Sequence, residues 1–458
     1  MSVLQRRVVQ VVCGALLSAA FAPAIIAKPL DIPVVYDTLP NGLRVVISED
    51  HSAPVVTVGV YYGVGFRVEP QDRTGFAHLF EHMMFQGSAN VKKFEHAKYV
   101  EANGGDLNGS TRLDFTNYYE NLPSDRTELA LWLEADRMTT LAVTAENLKN
   151  QQNVVSEEVR VNVLNQPYAL FFWLDLWMNA FTNWHNSHNF YGDLTEIEAA
   201  TVADCQTFYK TFYAPNNAAV VVVGDVQAAD VRKMVTKYFG GIPAGPALPK
   251  YDLSEKPQTA EKRVSQTDKL ANLPGLAIGY RIPEPSAPDY AAVVLLNRIL
   301  QGDDSSRLYQ KLVKEKEICV SWQSGINFLI GNEFNYNGPM LASTFAIYKP
   351  GHTADEILKE VDAATSEIAA KGVGEKELAD AKVQFRSYFY DLIGTNFGKA
   401  DMLASFALFR NDPAYIRTAL EPFDKVTAAD IQAAARKYYV PTNRTSVDRV
   451  PEAKGGAK

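Results

Sequence analysis

Two histidines and a glutamate in the segment His78-Leu79-Phe80-Glu81-His82 have the types and spacing of a metal-dependent active site. Residues three and four apart in a helix share one face, so both imidazoles can reach the same ion. Zinc accepts neutral imidazole nitrogen, and a catalytic zinc site uses three protein ligands and leaves one position open. Glu81 is too close to His82 to bind the ion beside both histidines, but it can take a proton from an attacking water and pass it to a leaving amine.

The alternative is that these two histidines lie on an ordinary polar helix face. The chain has only 7 histidines, so the five-residue pattern would arise by chance in about one of a hundred such sequences. The flanking residues are mostly apolar and would bury the helix, where two histidines and a glutamate are costly without a ligand. The pattern is also the inverted zincin motif, H-x-x-E-H. We therefore favour a metal site.

A third metal ligand is expected from an acidic residue on another helix. The helix predicted over residues 145–164 carries Glu157 and Glu158 side by side. Val154 and Val155 mark its expected inner face. Glu158 lies three and four residues beyond them, whereas Glu157 turns further towards solvent. We select Glu158 as the ligand and keep Glu157 as the alternative.

Residues 104–111 form a glycine-rich turn that enters a short strand predicted over residues 106–112. A strand close to the metal could pair with an extended peptide through its backbone, which gives affinity with little sequence preference. An ordinary hairpin explains the same residues equally well.

The remaining histidines carry weaker signals. His185 and His188 lie in a polar stretch without a regular pattern, where a second metal site competes with the favoured interpretation, a surface or substrate-chamber loop. His51, His96 and His352 are isolated in the sequence, and a surface position explains each of them.

The composition is that of a globular protein. Of 458 residues, 47% are hydrophobic and 21% are charged, which predicts two or three domains. The net charge of -8 argues against nucleic-acid binding, because the chain offers no basic patch to neutralise phosphates. Cys205 and Cys319 show no paired spacing and are interpreted as buried apolar residues, with a disulfide unsupported. A metal site must therefore use histidine and carboxylate.

The first thirty residues have the layout of a secretory signal peptide. Arg6 and Arg7 precede the apolar run 8–27, and a signal peptidase could cut after Ala24 or Ala27. The alternative is an uncleaved membrane anchor, because the run approaches the length that spans a bilayer. A proline and several alanines near its end favour cleavage. No later segment is long and apolar enough to span, so we expect a periplasmic or secreted protein without stable membrane insertion.

An internal repeat indicates a duplicated domain. Residues 201–217 predict a capped helix, then a proline and a strand, and residues 427–443 repeat this order at the same spacing. Repeats this far apart indicate duplication rather than a solenoid. Residues 241–262 are rich in glycine, proline and charge and form the predicted linker. It separates an N-terminal metal-binding domain, residues 32–240, from a homologous C-terminal domain without a metal site, residues 263–450. A disordered tail is predicted at residues 451–458.

The predicted elements mix strands and helices without regular alternation, which favours an α+β fold of two mixed α/β sandwich-like domains. A hairpin is predicted over residues 34–49, with strands at 55–62, 106–112 and 115–121. Helices are predicted over residues 76–85, 94–102, 125–139, 145–164 and 169–181.

These motifs together resemble the pitrilysin/insulinase family of inverted-motif zinc peptidases, and most closely its short bacterial and mitochondrial processing-peptidase-like branch. The resemblance covers almost the whole mature chain and is carried by residues 75–87, 108–111, 150–158, 165–168 and 305–309. It implies one Zn²⁺ per chain, bound by His78, His82 and Glu158. It also implies that Glu81 is the general base.

The resemblance further implies an architecture and a substrate class. Members of the family have paired domains that close like a clamshell around a chamber, which admits extended peptides and excludes folded proteins. Asn108 and Thr111 would lie on an edge strand that pairs with the substrate. The implied activity is that of a zinc metalloendopeptidase acting on peptides or unfolded polypeptide segments.

The sequence departs from the family pattern at two places. The second acidic residue, expected seven positions before the third ligand, is Gln151, whose amide can still orient a ligand. In the second half, the Arg/Tyr pair that steadies the substrate carbonyl and the oxyanion is replaced by Val313 and Val320. Valine can donate no side-chain hydrogen bond, and losing oxyanion donors typically costs about a hundredfold or more in rate.

These departures suggest half of an active site. The chain resembles the zinc-motif-bearing subunit of a heterodimer whose homologous partner carries the Arg/Tyr pair, and a homodimer is the less favoured alternative. Alone, the chain is expected to be weakly active or inactive. A non-catalytic structural or assembly subunit of a peptidase-like complex is the competing function, but such a subunit has no need to retain the four predicted zinc-site residues.

Overall fold

The computed structural model describes residues 31–452. The predicted signal peptide and its cleavage site lie outside these residues, as does most of the predicted tail. Pro451, assigned to that tail from the sequence, is instead the last residue of a strand.

The first half contains a six-stranded sheet. Its strands are β1 (Val35–Thr38), β2 (Arg44–Glu49), β3 (Val55–Tyr62), β4 (Asp106–Thr111), β5 (Thr116–Pro123) and β6 (Ala218–Gly224). They are ordered β1-β2-β6-β3-β5-β4, with β2 parallel to β6 and every other pair antiparallel. The central strand β6 is buried along its whole length, which explains its unbroken run of valines. Strand β4 lies at one edge.

The second half repeats this arrangement with one strand fewer. Its strands are β7 (Lys262–Asp268), β8 (Gly275–Ile282), β9 (Cys319–Ile326), β10 (Met340–Tyr348) and β11 (Arg444–Pro451). The order β7-β11-β8-β10-β9 and the strand directions match those of β2-β6-β3-β5-β4. The edge strand β9 therefore corresponds to β4. The two sheets confirm the predicted fold of duplicated, mixed α/β halves, while the exact domain boundaries stay predictions.

Helices cover both sheets. Those of the first half are α1 (Phe76–Met83), α2 (Glu95–Ala102), α3 (Thr127–Thr140), α4 (Ala145–Val159), α5 (Leu174–Ala180), α6 (Trp184–Ser187), α7 (Leu194–Ala199), α8 (Val202–Phe212) and α9 (Ala228–Phe239). Those of the second half are α10 (Tyr290–Asn297), α11 (Arg307–Tyr309), α12 (Ala354–Lys371), α13 (Glu375–Leu392), α14 (Asn396–Arg410), α15 (Glu421–Asp424) and α16 (Ala428–Tyr438).

The sequence repeat corresponds to the capped helices α8 and α16. Thr201 and Asp204 form a capping box at the start of α8, because each side chain accepts a hydrogen bond from the other's backbone. Thr427 and Asp430 form the same box at the start of α16. A short proline-led turn then leads each helix into the central region of its sheet, at β6 or β11.

The two halves are interlocked. Helix α14 of the second half packs on β3 and β6 of the first sheet, and α5 of the first half packs on β8 and β11 of the second. Buried apolar residues of both halves form one continuous cluster. Polar contacts join them as well: Arg67 donates to the Pro339 carbonyl at 2.6 Å, and Asp114 accepts from the Asn337 backbone at 2.8 Å. Each sheet is thus covered partly by a helix of the other half.

Three details of the helices differ from the sequence predictions. The helix predicted over residues 145–164 is α-helical only to Val159 and continues as a π-helical turn over Arg160–Leu164. The helix expected from residue 169 starts at Leu174, because Tyr168, Ala169 and Leu170 all have positive φ angles. The stretch containing His185, predicted to be irregular, includes the short helix α6.

Cys205 and Cys319 are buried free thiols, as predicted, and burial raises the pKa of each to about 12. Within residues 31–452, no helix combines the length and the apolar character needed to cross a membrane.

Candidate metal site

Helix α1 presents one face to the core and the motif residues to the other side. Its apolar residues Phe76, Leu79 and Phe80 are buried, whereas the two histidines and the glutamate are partly exposed. The helix starts at Gly75, which has a φ of 79°. A side chain there would be strained, and its Cβ would lie 2.8 Å from the Cα of Gly192.

The start of α1 is capped from outside the helix. The backbone N–H groups of Gly75 and Ala77 donate to the two carboxylate oxygens of Glu69, at 2.9 and 2.8 Å. Glu69 is only 1% exposed, and burial raises its pKa. The carboxylate satisfies two N–H groups that a helix start leaves without partners, and its charge is favourable at that end of the helix dipole.

The three predicted ligand atoms converge. Nε2 of His78 lies 3.3 Å from Nε2 of His82 and 3.6 Å from Oε1 of Glu158. Nε2 of His82 lies 3.4 Å from Oε2 of Glu158. A tetrahedral zinc ion with bonds of about 2.0–2.2 Å requires ligand atoms about 3.3–3.6 Å apart. The donor set and its spacing therefore fit one zinc ion.

Of the two neighbouring acidic residues on α4, only Glu158 approaches the histidines. Glu157 is 67% exposed and lies 3.5 Å from Arg160. The buried face of α4 repeats every three to four residues and includes Val155 but not Val154, which is 42% exposed. The assignment of Val154 to the inner face was therefore wrong. Glu158 lies one turn beyond Val155, at the border of the buried face.

The electrostatics of the cluster suit a metal cation. The hydrogen bond with His82 lowers the pKa of Glu158 to about 2, against the opposing effect of burial. Burial lowers the pKa of His78, which favours the neutral imidazole that binds metals. Burial alone would also lower the pKa of His82, but the hydrogen bond and charge of Glu158, the charge of Glu81 and the Gln151 side chain together outweigh it and raise that pKa. A metal must therefore compete with a proton at His82.

Gln151 occupies the place predicted for a supporting residue. It is buried on α4 and its side chain lies against His82, where it contributes to the raised pKa of that histidine. Its Nε2 donates to Oδ1 of Asn150 at 2.7 Å, which leaves the amide oxygen as the acceptor that it could offer to the imidazole. An acceptor at one ring nitrogen directs the other nitrogen to the metal.

Asn108 and Thr111, the two residues predicted on the substrate-pairing strand, differ in what their side chains contact. Among the strands of residues 31–452, β4 pairs with β5 alone and lies at the edge of its sheet. Asn108 is exposed on it. The hydroxyl of Thr111, in contrast, donates to Oε2 of Glu81 at 2.6 Å. The side chain of Thr111 thus contacts the predicted general base, and only its backbone is left for a pairing substrate.

The two positions at which valine replaces the family's Arg/Tyr pair lie in the second half. Val320 is 52% exposed on the edge strand β9, and Val313 is half-buried in the π-helical turn Gln310–Glu315. Helix α10, which follows β8 as α1 follows β3, is apolar and buried almost throughout. Within residues 31–452, both clusters of potential metal ligands lie in the first half.

The second of those clusters contains His96, Glu120 and Glu134, all buried. His96 was expected at the surface, but its Nε2 lies 2.9 Å from Glu120. Burial lowers the pKa of His96 to about 3 and raises that of Glu134 to about 8. Arg137 pairs with both glutamates and supplies the positive charge that a metal would otherwise bring. We interpret this cluster as structural.

Neither His185 nor His188 belongs to a group of potential metal ligands within the described residues. The expectation of a surface loop is wrong for His188, which is buried and lies 3.1 Å from Glu69. His185 is half-buried, with Nδ1 2.6 Å from the Arg67 carbonyl.

Two residues of the site were missed in the sequence. Tyr191 donates its hydroxyl to Oε1 of Glu158 at 2.8 Å, and its ring centre lies 5.4 Å from that of His78. Glu69 caps the ligand-bearing helix. Neither belongs to a local pattern, since Tyr191 is 33 residues from its carboxylate partner. Only the signal of a buried carboxylate shortly before the motif could have pointed to Glu69.

The protein has a duplicated mixed α/β fold, and helix α1 of its first half carries an inverted zincin motif. This combination is typical of a class of metallopeptidases. Comparison with family models agrees with that class. Residues 44–185 match the family described as insulinase, peptidase family M16. Residues 199–385 match the peptidase M16 inactive domain. The chain belongs to peptidase family M16.

Known proteins of similar sequence and structure extend over nearly the whole chain. The zinc protease PqqE of Helicobacter pylori is 27% identical over 418 residues, which cover 90% of this chain and 91% of that protein. A solved structure of a protease from Helicobacter pylori matches with a TM-score of 0.85 and 25% identity, over 92% of this chain and 100% of that one.

A third similarity concerns the fold alone. The structure of the periplasmic protease PqqL from Escherichia coli matches with a TM-score of 0.72 at 18% identity. The match covers 92% of this chain but 48% of that one, so this chain corresponds in fold to about half of PqqL.

Proposed function

We propose that this chain is the zinc-binding, catalytic subunit of a metalloendopeptidase that cleaves peptides or unfolded polypeptide segments. The observation that carries the proposal is the convergence of two imidazole nitrogens 3.3 Å apart with both oxygens of one carboxylate, Oε1 of Glu158 lying 3.6 Å from His78 and Oε2 lying 3.4 Å from His82. Beside them lies a glutamate that is not needed as a ligand. His78, His82 and Glu158 would hold the ion. A catalytic zinc supplies Lewis-acid activation of water and of the scissile carbonyl.

The remaining chemistry is assigned to Glu81 and its neighbours. Thr111 donates to Oε2 of Glu81, so Oε1 remains free to accept the proton of the attacking water. The same carboxyl can then donate that proton to the leaving amine nitrogen. An extended substrate would pair with the free edge of β4, and the exposed side chain of Asn108 would lie beside it.

The test separates metal binding from catalysis. Replacing Glu81 with glutamine (E81Q) keeps the shape of the side chain but removes the proton acceptor. We expect zinc content equal to that of the wild type and, when each protein is assayed with a co-expressed homologous subunit, a turnover of a quenched peptide at least about a hundredfold lower. Unchanged turnover would contradict the assignment of the base. Wild-type protein without tightly bound zinc would contradict the proposed function as a whole.

We further propose that the active form is a heterodimer with a homologous subunit. Val313 and Val320 offer no donors for the oxyanion, so the Arg/Tyr pair would come from the partner. The interlocked halves favour a chamber closed by a second chain rather than by movement of one half on the other. The likeness in fold to about half of PqqL is consistent with such an arrangement.

A periplasmic or secreted location is proposed from the layout of residues 1–27. The PqqL protein, which shares the fold, is periplasmic. Fractionation of the native host, with detection of the mature N-terminus, tests this location.

A further inference from the structure

We propose that residues 184–193 form a brace that holds α1 and α4 at the separation the metal ligands require, with Tyr191 and His188 as its two points of contact. The inference rests on the proposed zinc site. It assigns positioning roles to residues that take no part in binding the ion.

The first contact of the brace is on the third ligand. Asn162 donates to the hydroxyl oxygen of Tyr191 at 3.3 Å, and the hydroxyl donates its single proton to Oε1 of Glu158 at 2.8 Å. The ring of the same tyrosine packs edge-on against His78, with 5.4 Å between ring centres. One side chain therefore touches a proposed ligand on α1 and another on α4.

The second contact of the brace is on the cap of α1. Nε2 of His188 lies 3.1 Å from Oε2 of Glu69, and Nδ1 lies 2.9 Å from the Trp184 carbonyl. A carbonyl can only accept, so Nδ1 is the donor to Trp184, and Nε2 faces the carboxylate of Glu69. The imidazole also stacks on the Trp184 ring at 4.0 Å. His188 thus fixes the carboxylate that caps the ligand-bearing helix.

The backbone of the brace rests directly on the start of α1. Gly192, with a φ of 100°, approaches Gly75 so closely that a Cβ on either would lie 2.8 Å from the other's Cα. The backbone N–H of Asp193 donates to Oγ1 of Thr74 at 2.9 Å. No side chain larger than hydrogen fits between the two segments at this point.

Such a brace has a clear consequence for a metal site. Glu158 follows His82 by 76 residues and His78 by 80 in the sequence, and a functional constellation must be held to within about 0.5 Å. Each oxygen of Glu158 faces a different histidine. A hydrogen bond from Tyr191 to Oε1 therefore restricts the rotation of the carboxylate that would disturb both separations.

The test compares the zinc affinities of two hydroxyl-deletion variants by competition with a chromophoric chelator. Tyr191→Phe keeps the ring and removes the hydroxyl, with its hydrogen bonds to Glu158 and from Asn162. Tyr348→Phe is the matched control, because that hydroxyl donates to the carboxylate of Asp448, also at 2.8 Å, in the second half. We expect zinc affinity to fall about tenfold or more in the first variant and to stay at the wild-type value in the control.

Equal zinc affinities of the wild type and Tyr191→Phe would overturn the brace. An equal loss of zinc affinity in Tyr191→Phe and Tyr348→Phe would also overturn it, because that result would indicate a general effect of losing a tyrosine hydroxyl. A wild-type protein that binds no zinc would overturn the proposed function and the brace together. Tight wild-type binding with an unaffected Tyr191→Phe variant overturns the brace alone.

The second contact is tested with His188→Phe, which keeps an aromatic ring for stacking on Trp184 and removes both hydrogen bonds. The measured quantity is the rise in melting temperature that saturating zinc produces in each folded protein. We expect a smaller rise than in the wild type. A variant with a lower melting temperature but an unchanged rise has lost stability only, and that result would overturn the positioning role of His188.

Discussion

At the scale of single residues, the proposed site depends on the orientation of side chains more than on their identity. Glu157 and Glu158 are chemically identical neighbours, yet only Glu158 lies at the border of the buried face of α4 and reaches the histidines. Thr111 and Gln151 each contact one member of the site and restrict its rotation. Such contacts decide which oxygen or nitrogen points at the ion and which is left for proton transfer.

The choice between the two glutamates gives a direct prediction. Glu158→Gln removes a charged ligand and should reduce zinc affinity by at least about a hundredfold, because a neutral amide is a poor zinc ligand. Glu157→Gln is the matched control and should bind zinc as the wild type does. Metal content after dialysis against a weak chelator measures both, and a loss with the control alone would reverse the assignment.

The residues of the site differ in how visible they are in the sequence. The H-x-x-E-H spacing is local, so His78, Glu81 and His82 follow from helical geometry alone. The prediction of Glu158 depended on which face of α4 is buried, and the assignment of Val154 to that face was wrong. Tyr191 could not be found, since its contacts are created only when distant segments meet.

At the scale of elements, strands and helices could be predicted where a local run or spacing of residue types marks them. The valine run of β6 and the capping boxes of α8 and α16 are of this kind. The residues with positive φ angles after α4 could not be predicted in this way, because tertiary contacts hold them in place. Tyr168, for example, donates its N–H to Asp268 at 2.8 Å and its hydroxyl to the Leu273 carbonyl at 3.0 Å. The local sequence carries no signal for partners a hundred residues away.

The buried cluster beneath α2 joins several elements of the first half. His96 lies on α2, Glu120 on β5, and both Glu134 and Arg137 on α3. The guanidinium of Arg137 also lies over the ring of Tyr118, 4.5 Å from its centre. Arg137 supplies the positive charge that both buried glutamates contact, so removing it leaves these carboxyl groups without a cation.

This cluster gives a stability prediction. Arg137→Met keeps much of the side-chain volume but leaves Glu120 and Glu134 buried without a cation, so we expect the free energy of unfolding to fall by about 3–5 kcal/mol. Chemical denaturation of the zinc-free protein measures it. Arg232→Met removes an exposed partner of Asp37 and should leave stability nearly unchanged. Similar small effects in both variants would contradict the structural role of the cluster.

At the scale of the whole molecule, duplication has produced two halves with the same topology and different chemistry. Helix α1 carries the proposed ligands, while its counterpart α10 is apolar and buried. The exchange of α5 and α14 joins the halves into one core, so a peptide chamber cannot open and close between them without exposing it. Strands β4 and β9 are the corresponding edge strands of the two sheets, and Val313 and Val320 offer no side-chain donors. Under the proposed heterodimer, a second chain would supply those donors.

Dependence on a partner is therefore the prediction that belongs to the whole molecule. The chain alone should bind zinc as tightly as in the complex, because all three ligands come from its own first half. Its turnover should rise about a hundredfold or more when a homologous subunit with the Arg/Tyr pair is co-expressed, since oxyanion donors of this kind contribute that much to the rate. The assay follows a quenched peptide under both conditions.

The control for this experiment is a partner subunit whose Arg/Tyr pair has been replaced by alanine and phenylalanine. It should still form the complex and bury the same surface, but it should restore little activity, because the transition state lacks its donors. Full activity of the lone chain would show that its own residues suffice. If the altered partner still activates the chain, the second chain contributes by closing the chamber and not by supplying donors to the transition state. Replacing the Arg/Tyr pair therefore separates these two roles of the partner.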